Sequence, residues 1–161
     1  MKRFACIIFV ALMLFASCNT KYDILFYQKY NVTATCKIND TYTVEIKRTD
    51  ALASLEVLYP NNLKGTAFYT NQNEVYIQKG DLKIPVNRDS LRGICALLSC
   101  FDLEEASITT VESENKSSIV TYACKDATYV VTYGQNRLPS FIEINGDTFD
   151  YSIEVCAIEL K

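Results

Sequence analysis

The chain has 161 residues, with 16 basic and 19 acidic side chains, a formal net charge of −3, and neither histidine nor tryptophan. Without histidine it cannot form a Ser–His or Cys–His nucleophile pair or a His-ligated metal site. Its acidic balance also disfavours nucleic acid and anionic headgroups as charge-driven partners.

The N-terminal segment combines a basic start with a short apolar run. Lys2 and Arg3 precede fourteen uncharged residues, Phe4 to Ser17, which is fewer than the roughly 20 apolar residues that span a bilayer. This pattern is typical of a secretory signal. Its end, LFASC, resembles the lipobox of bacterial lipoprotein precursors, which implies cleavage before Cys18 and attachment of lipid, palmitate included, to that cysteine. An ordinary cleaved signal with a chance cysteine at its end is the alternative.

The remaining chain is expected to be one domain. Residues 1–17 are the predicted signal peptide, residues 18–24 a lipidated tether and residues 25–161 the folded domain. An odd number of cysteines follows the tether, without a CxxC spacing, so a zinc or redox motif is not expected. Disulfides are possible in an exported protein. Apolar surroundings instead favour mostly free, buried thiols for Cys36, Cys95, Cys100, Cys124 and Cys156.

The first half of the domain reads as short alternating strands. VTATCKI and YTVEIKR each place every second residue on one face, and the two faces coincide when Ile38 lies opposite Tyr42 across a three-residue loop. ALASLEVLY follows, and PNNLKG breaks the pattern. TAFYT and EVYIQK are the next strands. A Gly80-Asp81 turn then leads to LKIPV, where Pro85 indicates an edge strand.

Residues 89–101 change to a helical period. Leu91, Ile94 and Leu98 share one face, and Asp89 is the predicted N-cap. A second short helix is expected in DILFYQKY, before the first strand.

Strands resume after the helix. SIVTYACK and TYVVTY form a predicted hairpin with its loop at residues 125–127, which puts Cys124 on the inner face. Asn145-Gly146 is a strong hairpin signal and pairs Ile142 with Phe149. Beyond Val155 the alternation slips, which indicates a bulge or a strand end. The prediction is a mainly β (α+β) fold with a single curved antiparallel sheet of ten or eleven strands.

The order of elements resembles that of the bacterial lipoprotein-carrier family, LolA/LolB-like. The likeness is concentrated in LYPNNLKGTAFYTNQNEVYIQKGDLKIPV and in RLPSFIEINGDTFDYSIEV. The resemblance implies an incomplete barrel with the helix at 89–101 on its concave face. It also implies an acyl chain or other apolar ligand between sheet and helix. No cofactor is expected. With the lipobox, the resemblance implies export to a bacterial membrane, most simply the outer face of the cytoplasmic membrane, with the lipidated cysteine as the attachment.

The candidate ligand site consists of apolar and phenolic residues of the helix and sheet: Leu91, Ile94, Leu98, Tyr122, Tyr129, Val131, Phe149 and Tyr151. Such residues either line an apolar cavity or fill an ordinary core, and the sequence leaves both open. The first reading makes the protein a lipid-binding module. The second makes it a structural or interaction lipoprotein with a solid core that binds another envelope protein. We do not expect an enzyme, because nucleophile–base, metal and phosphate-loop motifs are missing, and DLEEAS is a solvated acidic turn.

Overall fold

The computed structural model describes residues 26–70, 74–114 (of Glu114, the backbone alone) and 117–161. The predicted signal peptide and Cys18 lie outside the described residues. In these ranges the chain forms an eleven-stranded antiparallel sheet: β1 (Val32–Ile38), β2 (Tyr42–Arg48), β3 (Ala53–Tyr59), β4 (Thr66–Thr70), β5 (Val75–Lys79), β6 (Leu82–Val86), β7 (Ser107–Glu114), β8 (Ser117–Ala123), β9 (Ala127–Tyr133), β10 (Pro139–Gly146) and β11 (Asp150–Leu160). A 3₁₀ turn, Phe26–Lys29, precedes the sheet.

The sheet is curved and unclosed. Its strand order is β6-β5-β4-β3-β2-β1-β11-β10-β9-β8-β7, so β6 and β7 are the two edges. The predicted fold class is confirmed, including the position of the Pro85 strand at an edge. Strand β7 was not predicted, because SITTVESE carries too few apolar residues to show a buried face.

The registers predicted for the first hairpins are confirmed. Ile38 lies opposite Tyr42, and Lys79 lies opposite Leu82 across the Gly80-Asp81 turn. The bulge beyond Val155 is also present, because Cys36 pairs with Val155 and Thr35 with Ala157, which leaves Cys156 as the extra residue.

The predicted Asn145-Gly146 turn is wrong. Gly146 N donates to Phe149 O at 2.9 Å, so the turn lies at residues 147–148, and Ile142 pairs with Ile153. Gly146 has a different reason to be glycine: a Cβ there would lie 2.4 Å from the Phe149 ring. The register differs from the predicted one by four residues, an even number, so the predicted inner face is preserved.

The loop between β8 and β9 is also shorter than predicted. Cys124 N donates to Ala127 O at 3.0 Å, which leaves a two-residue loop at Lys125 and Asp126. Cys124 is therefore exposed at the turn, whereas the sequence placed it on the inner face, and Ala127 is buried instead.

The helical segment begins with a 3₁₀ helix, Arg88–Leu91, and continues as α1 (Arg92–Leu98). The N-cap is Asn87, whose Oδ1 accepts a hydrogen bond from Asp89 N at 2.8 Å, so the prediction of Asp89 as the cap is wrong. The helix also ends before residue 101, because the Ser99 N–H closes the last turn on the carbonyls of Cys95 and Ala96. Helix α1 packs on the concave face against β3, β4 and β10.

The five cysteines of the described chain are free. Cys36 and Cys100 are buried and Cys95 is half-buried, as predicted, but Cys124 and Cys156 are exposed because they occupy a turn and a bulge. None of the helices in the described ranges has both the length and the apolar character needed to cross a bilayer.

Candidate functional site

The centre of the concave face, beneath helix α1, is buried. Leu98, Tyr122 and Val131 are fully buried there, and Tyr129 is nearly so. The Tyr122 and Tyr133 hydroxyl oxygens lie 2.8 Å apart in a hydrogen bond, and Tyr129 Oη donates to Ala96 O at 3.2 Å. These four predicted site residues therefore belong to a packed core.

Burial also sets the ionisation of these phenols. Desolvation raises the pKa of Tyr122 to about 12 and moves the pKa of Tyr129 in the same direction. Both groups are therefore neutral at physiological pH, and their hydrogen bonds are made within the protein.

The other predicted residues lie nearer the surface. Leu91, Ile94, Phe149 and Tyr151 are half-buried, and the Phe149 and Tyr151 rings stack at a centroid distance of 5.7 Å. Gly93 lets the helix approach this ring pair, since a Cβ at Gly93 would lie 2.4 Å from Tyr151 Oη. The structure thus divides the predicted set into four residues of the buried core and four half-buried residues nearer the surface.

A groove of about 850 Å³ runs beside the helix, towards the β8–β9 turn. Of the eight predicted residues, Tyr129 reaches its wall. The remaining wall carries charges of both signs, so the groove does not favour a ligand of one charge. The charged residues are Arg88, Arg92, Lys125, Asp89, Asp102, Glu105 and Asp126. Cys95 and Cys124 also line it, but burial raises the pKa of both thiols, which makes them poor nucleophiles at neutral pH. No group of residues suited to hold a metal ion occurs in the described part of the chain.

The sheet also has an open apolar surface that sequence reasoning missed. Cross-strand pairing aligns one row of apolar side chains from β1 to β6: Ala34, Ile46, Leu55, Phe68, Ile77 and Ile84. Burial decreases along this row. Ala34, Ile46 and Leu55 are buried, Phe68 and Ile77 are half-buried, and Ile84 is 45% exposed.

Leu82 extends this surface on the same face of β6 and is 63% exposed. We call Ile77, Leu82 and Ile84 the open shelf. The opposite face of β5 and β6 is not uniformly apolar. It carries Lys83, whose Nζ lies 3.9 Å from the centre of the Tyr76 ring, and Pro85 of the edge strand. LKIPV alternates as a strand with one buried face does. Helix α1, however, packs on β3 and β4 and leaves the β5–β6 end of the row uncovered.

No protein-family model and no curated protein matches the chain. Several solved structures are similar to it. An uncharacterized conserved protein from Thermus thermophilus has 10% identity and a TM-score of 0.51, with 86% of each chain covered. A LolA superfamily protein from Nitrosomonas europaea has 10% identity and a TM-score of 0.44, over 82% of this chain and 84% of that one. A putative outer membrane lipoprotein-sorting protein domain from Vibrio parahaemolyticus has 7% identity and a TM-score of 0.45, over 86% and 91%.

The likeness to the Thermus protein shows a shared fold across most of both chains. The described sheet and helix have the open half-barrel architecture that the resemblance to the LolA/LolB-like family implied.

Proposed function

We propose that this protein is a lipid-anchored lipoprotein of a bacterial envelope that binds an acyl chain or another apolar ligand at the open shelf, without catalysing a reaction. One observation carries the proposal: Leu82 and Ile84 are exposed on the same face whose centre is completely buried. A contiguous exposed apolar surface of this kind is characteristic of a binding site.

The shape of the shelf suits a linear apolar ligand. From Leu55 to Ile84 the row crosses three gaps between strands, a length of about 14 Å at the usual spacing. Phe68, Ile77 and Ile84 supply apolar side chains along this length. An acyl chain laid along the row would gain about 0.8 kcal/mol for each buried CH₂.

This position differs from the one that the sequence suggested. The predicted ligand lay between the helix and the central strands, where Leu98, Tyr122 and Val131 are shielded from solvent and no opening is described. The ligand is therefore assigned to the flank of the concave face, where β5 and β6 extend beyond the helix.

The buried centre also favours a second candidate function. A solid core is what a structural or interaction lipoprotein requires, and the apolar surface of an envelope protein would cover the same shelf. The two candidates differ in whether the isolated protein binds a free acyl chain.

Titration with a fluorescent fatty-acid analogue separates them. Ile84→Asn should weaken probe binding about tenfold or more, because a buried isoleucine contributes roughly 1.5–3 kcal/mol. Phe141→Asn is the matched control, since Phe141 is 36% exposed and pairs with Glu154 on the opposite face of the sheet. Equal probe affinities for the two variants, or no probe binding by the unmodified protein, would contradict acyl-chain binding at the open shelf. The structural or interaction function would then be favoured.

The anchor is tested separately. Cys18→Ala should leave the precursor uncleaved or release the domain from the membrane, because the lipid attachment is lost. Normal processing and firm membrane retention of this variant would contradict the anchor without bearing on the shelf.

A further inference from the structure

The described part of the chain begins with a turn that is fixed to one end of the sheet. In the 3₁₀ turn Phe26–Lys29, Tyr27 is fully buried and Gln28 nearly so. Arg48 Nη1, at the end of β2, donates to Gln28 O at 2.5 Å and to Tyr30 O at 3.3 Å. Asn31 and Lys161 then exchange two backbone hydrogen bonds of 2.9 Å. The chain is therefore held against the sheet immediately after the predicted tether.

Two large apolar side chains are exposed at this same end. Tyr30 is 47% exposed and Leu52 is 41% exposed. They are close in the fold, because Arg48 contacts the Tyr30 carbonyl and the Leu52 carbonyl closes the turn that follows Arg48, accepting from Thr49 N at 2.8 Å. We call Tyr30 and Leu52 the tether-end pair.

The charge around the pair is close to balanced. Lys29 and Lys161 are exposed basic residues nearby, while Asp50 lies in the Leu52 turn and Glu159 lies 3.7 Å from Lys161. Apolar contact, rather than net charge, is therefore the means by which this end would bind a surface.

The short tether keeps one surface, the membrane that anchors it, near this pair. Eight steps of the chain join Cys18 to Phe26, which reach about 29 Å at most when fully extended. We propose that the tether-end pair docks on the lipid bilayer that holds the Cys18 acyl chains. Tyr30 and Leu52 enter the interfacial region, where tyrosine places its ring among the acyl chains and its hydroxyl among the headgroups. This inference rests on the lipid anchor of the proposed function.

The chain provides a matched control at the other end of the same strands. Tyr42 is 39% exposed and pairs with Ile38. Ile38 is the last residue of β1, whereas Val32 is the first. Six residue steps of strand separate Val32 from Ile38, a distance of about 20 Å. Tyr30 and Tyr42 thus have the same side chain and similar exposure but different expected distances from the bilayer.

Single-tryptophan variants test the inference directly, because the chain contains no tryptophan. The lipidated protein carrying Tyr30→Trp, Leu52→Trp or Tyr42→Trp is reconstituted into phosphatidylcholine–phosphatidylglycerol vesicles, with or without bromine on the acyl chains. An interfacial side chain lies within about 5–10 Å of the acyl boundary, so brominated lipid should quench the first two variants about twofold and leave Tyr42→Trp unchanged.

Equal quenching of Tyr30→Trp and Tyr42→Trp on vesicles that retain the protein would overturn the docking while the anchor stands. Loss of the protein from washed vesicles would overturn the anchor and the docking together. Neither result would alter the affinity of the shelf for the fatty-acid analogue.

Discussion

Gly93→Ala tests whether helix α1 is docked on the sheet as the structure shows. In an exposed helix this change should stabilise the fold by about 1 kcal/mol, because alanine is the better helix former. Here the added methyl group would lie 2.4 Å from Tyr151 Oη, 3.2 Å from Tyr151 Cζ and 3.3 Å from Phe149 Cγ. Since the two rings stack on each other, Tyr151 cannot move away without disturbing Phe149.

The two effects oppose each other, and the distances decide the balance. Overpacking of this kind costs about 1–3 kcal/mol. We therefore expect Gly93→Ala to lower the free energy of unfolding by zero to about 2 kcal/mol, which is the overpacking cost less the gain in helix propensity. In a Tyr151→Phe background the nearest atom is absent, and the remaining contacts need a shift of only a few tenths of an ångström. There, Gly93→Ala should be neutral or stabilising.

The measurement is a double-mutant cycle of Gly93→Ala and Tyr151→Phe, with unfolding by urea followed by circular dichroism. The coupling free energy should be about 1–2 kcal/mol, as for residues in direct contact. Equal stabilisation by Gly93→Ala in both backgrounds would mean that the methyl group meets open space. The helix would then not approach the Phe149–Tyr151 ring pair as described.

Three further predictions concern stability. Leu98→Ala should lower the free energy of unfolding by about 2–5 kcal/mol, because Leu98 is fully buried in a filled core; a loss below about 1 kcal/mol in chemical denaturation would instead indicate an empty cavity under the helix. Alkaline pH should destabilise the fold, since burial raises the pKa of Cys36 from 9.0 to about 12 and that of Tyr122 from 10.0 to about 12. The unfolded chain loses these protons first, so the free energy of unfolding should be constant below about pH 9 and fall between about pH 9 and pH 12. In Cys36→Val the fall should begin at a higher pH. A melting temperature that does not change with pH across this range would contradict the burial of both groups. A reducing agent should leave the melting temperature unchanged because the described cysteines are free, whereas a drop matching the 2–5 kcal/mol typical of a lost disulfide would show a bond between them.

The sequence predicted the parts of the fold that depend on alternation alone. The pairings of Ile38 with Tyr42 and of Lys79 with Leu82 follow from the requirement that apolar faces coincide, and both are present. The same rule preserved the inner face of β10 and β11 even though the turn was misplaced. Parity along a strand is thus a stronger constraint than the identity of a turn.

The errors arose where side-chain packing, rather than alternation along a strand, decides the local structure. Gly146 signals a turn in the sequence, but it is needed because the Phe149 ring packs on it. The open shelf could not be predicted either, since Leu82 and Ile84 have the alternation of a buried face. Their exposure follows from the short length of α1 and from its position over β3 and β4, which are properties of the tertiary structure.

Photo-crosslinking can locate the acyl chain that we propose lies along the open shelf. A fatty acid with a diazirine in its chain is bound to the purified protein and irradiated, and the labelled residues are identified by peptide mass spectrometry. We expect labels on Ile77, Leu82 and Ile84, and their loss when unlabelled fatty acid competes. Val111 is an exposed apolar residue of the opposite edge strand. Labelling of Val111 to the same extent as Ile84 would contradict binding at the shelf. Labelling that unlabelled fatty acid does not reduce would contradict it as well.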